Sequence, residues 1–370
     1  MKIAVNARFL LPGLREGFGR FSHEVLRRMV VSHPEDEFHF FFDRPYEQEY
    51  LYGPNVIPHV LIPQARHPLL YIAFFEVTVP LMLARTKADI FFSPDGFLSL
   101  MTGVPQVNVM HDLSFELPDP DMGKLYSKYY RYFFPKFAEK SSQIITVSQY
   151  SKSDIITRYG INENKITVAL NGASDAFTID GEKHVESHPY FLYAGAIQPR
   201  KNLSGLLQAF DVFKERTGLP HLLVLTGRKA WNFEDIIKTF GNMRYKKDVI
   251  FTGFVSEEKL AALYRGATAL CYVSFFEGFG LPILEAMNCG TAVIVSETSS
   301  MPEVCGPAGY FIDPGNPESI ATQMQKVVED PQLRQNKIAL GLKFKEQFSW
   351  DKTAEICWNA LKNAHQMVNQ

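Results

Sequence analysis

At 370 residues the chain exceeds what one ordinary hydrophobic core organises, so two domains are expected. Its 46% hydrophobic and 21% charged residues exclude the disordered and fibrous classes. The formal net charge is −2, both signs are spread over both halves, and no basic stripe argues for a general nucleic-acid binder.

The opening "MKIAVNARFLL" reads as a first strand running into its loop, not as an export leader. The loop "LREGFGRFSHEV" (14–25) follows, where Gly17 and Gly19 lead into a helix whose free N–H groups suit a phosphate. It lacks the GxGxxG fingerprint of dinucleotide binders, and no GxxxxGK[ST] loop occurs in the chain. In "GRFSHEVLRRMV" Leu26, Met29 and Val30 mark the apolar face. "FHFFF", "ADIFFS", "QVNVMHD" and "SQIITVS" continue the strand series. The most apolar stretch, "HPLLYIAFFEVTVPLMLA" (67–84), is interrupted by Glu76 and Pro80, and reads as a buried helix or a surface hairpin rather than a membrane span.

His111 ends the strand of "QVNVMHD", a position that suits either a hydrogen-bonded structural histidine or one that meets a ligand. "DPD" at 119–121 has the form of a metal-holding acidic pair, but it lies in a proline-rich loop and is not taken as a metal site. "KLYSKYYRYFFPKFAEK" (124–140) interleaves aromatic and basic residues. An amphipathic helix with its aromatics in the core is expected there, with a membrane or lipid-linked substrate as the other reading. "TIDGEKHVESHP" (178–189) has no hydrophobic period and reads as a linker, with His184 and His188 as solvated histidines.

Beyond it "YFLYAGA", "HLLVLTG", "DVIFTG", "TALCYVS" and "TAVIVS" are strands separated by helices. The expected domains are 1–178, a linker at 179–189, 190–350, and a terminal helix at 351–370. Two doubly wound domains of this kind face a cleft, and ligands collect at the carboxyl ends of their strands. In "YAGAIQPRKNLSGLL" (193–207) Arg200 and Lys201 follow such an end, where two cations suit either a diphosphate or a solvated basic turn. In "SFFEGFGLPILEAMNCG" (274–290) Glu277 precedes a glycine turn, Pro282 suits a helix start, and Glu285 lies one turn in. Two unlike carboxylates around an anion-attracting helix start suit a ligand with phosphates and several hydroxyls, a nucleotide sugar. The four cysteines, Cys271, Cys289, Cys305 and Cys357, have no CxxC spacing, and three of them fall in apolar or helical contexts that suit small buried hydrophobes in a reducing cytosol.

The stretch "EGFGLPILEAMNCGTAVIVSETSSMPEVCGPAG" resembles the signature of the family 4 (group 1) retaining glycosyltransferases, which have the GT-B fold of two Rossmann-like doubly wound domains. Glu277 and Glu285 fit the family's pair of glutamates separated by seven residues. "GFGRF" (17–21), "HDLSF" (111–115), "IITVSQYSKSDI" (144–155), "NGASDAF" (171–177), "GAIQPRKN" (195–202), "FTGFVSEEKLAALYRGA" (251–267) and "FSWDKTA" (348–354) extend the resemblance over nearly the full chain.

The resemblance implies a catalytic set of Glu277, His111, Lys201 and Arg200. Glu277 would lie against the donor sugar, His111 near its C6 hydroxyl, and Glu285 on the nucleotide ribose. The backbone from Gly278 through Phe279, Gly280 and Leu281 to Pro282, with Arg200 and Lys201, would hold the diphosphate, and Gly17 and Gly19 would approach it from the first domain. Many members have an arginine where this chain has Ala196, and Arg200 is the candidate replacement. No metal or cofactor is implied. The expected reaction is hexose transfer with retention from a nucleoside-diphosphate sugar, GDP-mannose first, to a glycan or lipid-linked acceptor in surface polysaccharide assembly. The acceptor would bind first-domain loops including 57–75 and 113–135, in the cytoplasm or peripherally at the cytoplasmic membrane face. A nucleotide-sugar epimerase on the same scaffold and a non-catalytic nucleotide-sugar binder are the alternatives.

Overall fold

The computed structural model describes residues 1–11, 17–118, 122–228 and 234–368. The chain forms two compact units, Met1–Asn171 with Ser349–Gln370, and Gly172–Phe348.

In the first unit β1 (Lys2–Asn6), β2 (Glu37–Phe42), β3 (Val56–Val60), β4 (Ile90–Ser93), β5 (Gln106–Val109), β6 (Gln143–Thr146) and β7 (Ile166–Val168) form one sheet. The order is β3-β2-β1-β4-β5-β6-β7, and every pairing is parallel. The central runs carry apolar residues at consecutive positions because helices cover both sheet faces. Ala4, Phe41, Phe91 and Ile144 accordingly enter one core with Phe74, Phe97 and Phe137.

The second unit has β8 (Tyr190–Ala194), β9 (Leu222–Thr226), β10 (Val249–Gly253), β11 (Ala269–Tyr272), β12 (Ala292–Ser296) and β13 (Gly309–Ile312). Their order, β10-β9-β8-β11-β12-β13, is again wholly parallel. Each sheet reverses direction of growth once, between β1 and β4 and between β8 and β11. At such switch points the loops diverge to opposite sides and leave room for a ligand.

Strands β3, β7 and β13 escape the sequence reading. All three are edge strands, and the first two mix buried with half-exposed positions, so no apolar run announces them. Pro58 sits in β3, where an edge tolerates its missing N–H.

The stretch at 67–84 is one helical run, Pro68–Thr86, and not a hairpin. A wider turn over Phe74–Thr78 joins its two α-helical parts, Pro68–Ala73 and Val79–Thr86. Tyr71, Phe74, Phe75, Val79 and Leu83 are buried in the first unit's core, while Leu69, Val77 and Leu81 on the other side are 68%, 56% and 66% exposed. The expected burial therefore holds for one side only. The run is long and apolar enough to cross a bilayer, but a helix that gives one side to a protein core is not surrounded by lipid. The helix Lys124–Lys140 puts Tyr129, Phe134 and Phe137 into that core.

The terminal helix Trp350–Val368 belongs to the first unit. Trp358 stacks on His33 with ring centroids 3.7 Å apart, and Arg28 pairs with Asp351. The division between units falls after Asn171, ahead of the segment read as a linker. That segment is strapped to the helix Glu257–Gly266: His184 N donates to Ala262 O (2.9 Å), and Arg265 donates to the carbonyls of Glu182 (2.8 Å) and Thr178 (3.2 Å). Backbone groups do the fastening, which leaves no hydrophobic period to read.

Candidate functional site

At the β8/β11 switch point the chain leaves Ala194, turns through Gly195 and makes one tight helical turn, Pro199–Lys201. Asn202 ends that turn in the left-handed region (φ 57), and its side chain donates to Val273 O (3.1 Å) and Pro314 O (2.7 Å). Phe275 N donates to Arg200 O at 2.9 Å, so the loops after β8 and β11 are joined by both backbone and side chain.

This joining brings three sequence-identified residues together. Lys201 Nζ lies 2.6 Å from Glu277 Oε1, and Arg200 Nη1 lies 3.4 Å from Glu277 Oε2. Lys201 also donates to the hydroxyl of Tyr272 at 2.8 Å, and Arg200 to Phe276 O. Glu277 is 6% exposed and Lys201 9%. Burial pushes the Glu277 carboxyl up, but Lys201 and Arg200 outweigh it and hold the group at about 2. The site thus keeps a carboxylate ionised at any physiological pH, held between two cations.

Two serines fix that carboxylate's backbone. Glu277 N donates to Ser299 Oγ (3.0 Å), and Ser300 Oγ lies 2.9 Å from both Glu277 O and Phe279 O. Ser299 holds a positive φ of 54, uncommon for a residue with a Cβ. The chain then passes Gly278 and Phe279 to Gly280 (φ 103), which starts the helix Leu281–Asn288 with Pro282 in its first turn. Glu285 is buried one turn in, and the buried Tyr264 hydroxyl donates to its Oε2 at 3.0 Å. Burial first, and the adjacent Glu285 second, drive the Tyr264 hydroxyl well above its usual range, so it stays a donor. At Ala196 the carbonyl accepts from the Tyr193 hydroxyl at 2.8 Å.

In the first unit the β1/β4 switch point is filled by a polar cluster. Asn6 Nδ2 donates to Ser93 Oγ (3.0 Å) and Asp95 Oδ1 (2.8 Å), and Arg8 Nε to Asp95 Oδ2 (2.6 Å). The Arg8 guanidinium lies 4.0 Å from the centre of the Phe97 ring. His111, just past β5, donates from Nε2 to Pro94 O at 2.8 Å. Since a carbonyl only accepts, the neutral ring presents Nδ1 as an acceptor. Burial pushes its pKa down, which favours that neutral form. Phe18 and Phe21 pack edge-on against it at 4.7 and 4.8 Å. Gly17 caps the helix Phe18–Ser32 with φ 49, and Gly19 is buried in its first turn, so these glycines and His111 share one neighbourhood.

"DPD" at 119–121 lies outside the described residues. His184 bonds Glu186 (2.7 Å) and Lys259 (2.8 Å) in the segment against the helix Glu257–Gly266, as a structural side chain. Among the described residues His33, Glu35 and Asp36 bring possible ligand atoms within 4.8 Å, but Asp36 is already paired with the amino terminus of Met1. Sequence reasoning missed Tyr272, Asn202, Ser299, Ser300 and Tyr264. The first two are neighbours of identified residues or strand ends. The serines lie in "ETSSMPE", within the stretch that carries the family resemblance.

Residues 176–342 match the family model for glycosyl transferases group 1, and residues 17–177 that for glycosyltransferase family 4. The O-antigen chain mannosyltransferase B of Escherichia coli is 30% identical over 366 residues, covering 94% of this chain and 96% of that protein. The O-antigen chain mannosyltransferase RfbU of Salmonella typhimurium is 28% identical over 61% of this chain and 62% of its own length. Among solved structures, Anabaena HepE in complex with UDP and glucose superposes with a TM-score of 0.73 over 98% of this chain and all of its own, at 18% identity, which speaks to the fold alone. Two parallel-sheet units, a cation-held glutamate at a switch point and a full-length relative converge on one assignment: the chain is a glycosyltransferase of group 1, family 4, with the GT-B fold.

Proposed function

We propose that the protein transfers mannose from GDP-mannose to a growing glycan or its lipid-linked carrier, with retention of anomeric configuration and without a metal. The observation that carries this reading is the Lys201–Glu277–Arg200 cluster at the β8/β11 switch point, followed directly by the glycine-capped helix start at Gly280. Full-length similarity to a mannosyltransferase supports the choice of sugar.

In this reading Glu277 faces the donor sugar and Glu285, steadied by Tyr264, takes the ribose hydroxyls. The turn from Gly278 to Pro282, together with Arg200 and Lys201, binds the diphosphate. His111 offers Nδ1 to the C6 hydroxyl of the sugar, and Gly17 and Gly19 open backbone toward the phosphates. As the glycosidic bond breaks, positive charge grows on the anomeric carbon and negative charge on the leaving diphosphate. Fixed cations and helix amides aimed at that negative charge cost no reorganisation in the transition state. The ionised Glu277 complements the positive centre. A same-face reaction lets the leaving phosphate take the acceptor's proton, so no separate base is required. The acceptor is met in the cytoplasm or at the cytoplasmic face of a membrane.

The test is a thermal-shift and donor-hydrolysis screen across nucleotide sugars. Stabilisation by GDP and slow hydrolysis of GDP-mannose are expected; a response confined to UDP-sugars would overturn the donor. An inverted product would overturn the stereochemistry. Interconversion of UDP-sugars without an acceptor would favour an epimerase instead.

A further inference from the structure

We propose that the exposed side of the Pro68–Thr86 helical run lies flat in the headgroup region of an anionic lipid bilayer. A helix that is apolar all round ordinarily has all its sides covered. Here one side packs in the core and the other does not. Leu69, Leu70, Val77 and Leu81 project from the uncovered side, and two neighbours extend it. Thr78 Oγ1 donates to Ile62 O (2.7 Å), which fastens the loop of Ile62, 78% exposed, beside the run. Glu76 Oε2 accepts from the amides of Leu100 (2.8 Å) and Met101 (3.1 Å), which fastens Met101, 71% exposed. Those bonds tie down the one acid between Val60 and Ala88, and burial pushes its pKa up.

The ends of the run choose the occupant. Arg66 precedes it, and Arg85 and Lys87 close it, all exposed. An apolar stripe between cations matches acyl chains below anionic headgroups. A second copy fits poorly, because a two-fold contact through an antiparallel pair of such helices sets Arg66 against the partner's cationic end. A spanning orientation is excluded by the buried side. The arrangement depends on the glycosyltransferase reading only for its use, which is to hold the enzyme where a lipid-linked acceptor resides.

The test is flotation of the full chain with vesicles of phosphatidylethanolamine and phosphatidylglycerol, against vesicles of phosphatidylcholine alone. The wild type is expected to float with the anionic vesicles. Val77→Ser with Leu81→Ser should weaken partition by at least about tenfold. Arg85→Gln should weaken it about fivefold on anionic vesicles and leave neutral ones unaffected. Leu81→Trp should show a blue-shifted emission on adding anionic vesicles. Unchanged circular dichroism and unchanged donor hydrolysis in water separate loss of membrane contact from loss of fold or of the donor reaction. The proposal is overturned if the wild type stays unbound, if the double variant floats like the wild type, or if the face instead mediates a concentration-dependent dimer that the double variant abolishes.

Discussion

Lys201 and Glu277 form an ion pair at 2.6 Å where water barely reaches, so each desolvated charge depends on the other. Removing one partner of such a pair costs about 3–5 kcal/mol, whereas replacing both by neutral groups costs far less. Lys201→Ala should therefore lower the unfolding midpoint by roughly 6–20 °C. Lys201→Met combined with Glu277→Gln should recover much of that loss while leaving turnover abolished, and simple additivity in a thermal-shift series would refute the coupling. Because the Glu277 pKa is depressed on folding, its stabilisation is present above the unfolded value of 4.5 and fades as pH falls toward about 2. Glu277→Gln should accordingly be less stable than wild type at pH 7, with the gap narrowing between pH 4.5 and 2. Ser299 poses a second choice of magnitudes. Its left-handed backbone costs about 1–2 kcal/mol, and its hydroxyl returns about 1 kcal/mol through the Glu277 amide. Ser299→Gly loses the bond but relieves the strain, and Ser299→Ala loses the bond alone. Urea unfolding should find Ala the weaker by about 1–2 kcal/mol. The glutamate pair and the two cations could be read from local pattern, because Glu277 and Arg200 adjoin a glycine and a proline that mark turns, and Lys201 and Glu285 follow a proline by two and three residues. Tyr272, Ser299 and Tyr264 could not, since their partners are fixed by strand order rather than by spacing along the chain.

The loops at the carboxyl ends of β8 and β9 approach each other so closely that side chains are excluded. Gly195 N donates to Thr226 O, and a Cβ built on Gly227 (φ 142) would stand 1.8 Å from Gly195 O. That neighbour is backbone and cannot swing away. Gly227→Ala should therefore displace the segment that leads to Arg200 and Lys201. A raised donor KM together with a lowered midpoint is expected, and a normal KM would show that the β8 loop is not set by this contact. Central strands were legible as apolar runs because helices cover both of their faces. The edge strands β3, β7 and β13 were not, although the edge strand β10 was, and the uncovered side of the Pro68–Thr86 run was not either, because apolar composition tells how greasy a helix is but not which side meets protein. The 178–189 segment, read as a linker, is polar in sequence and is fastened by its carbonyls to Arg265, which no hydrophobic period could announce.

Each unit has its own sheet, its own switch point and its own core, and the terminal helix supplies part of the first. Cys357 and Leu361 are fully buried there, and the Thr353 hydroxyl bonds Leu170 O. Stopping the chain after Phe348 should consequently damage the first unit and spare the second. Hydrogen exchange should show protection lost through β1, β6 and the helix Phe18–Ser32 but kept through β8, β11 and β12. Uniform loss across both sheets would contradict this independence. The same connectivity also sets an order of events during synthesis. The chain's two ends meet in one unit, so the second unit is in effect inserted within the first. Residues 172–348 emerge from the ribosome ahead of Trp350–Val368. The usual order in which the earlier domain completes first is thereby inverted: the second unit's segment emerges before the helix Trp350–Val368 that packs on the helix Phe18–Ser32 of the first.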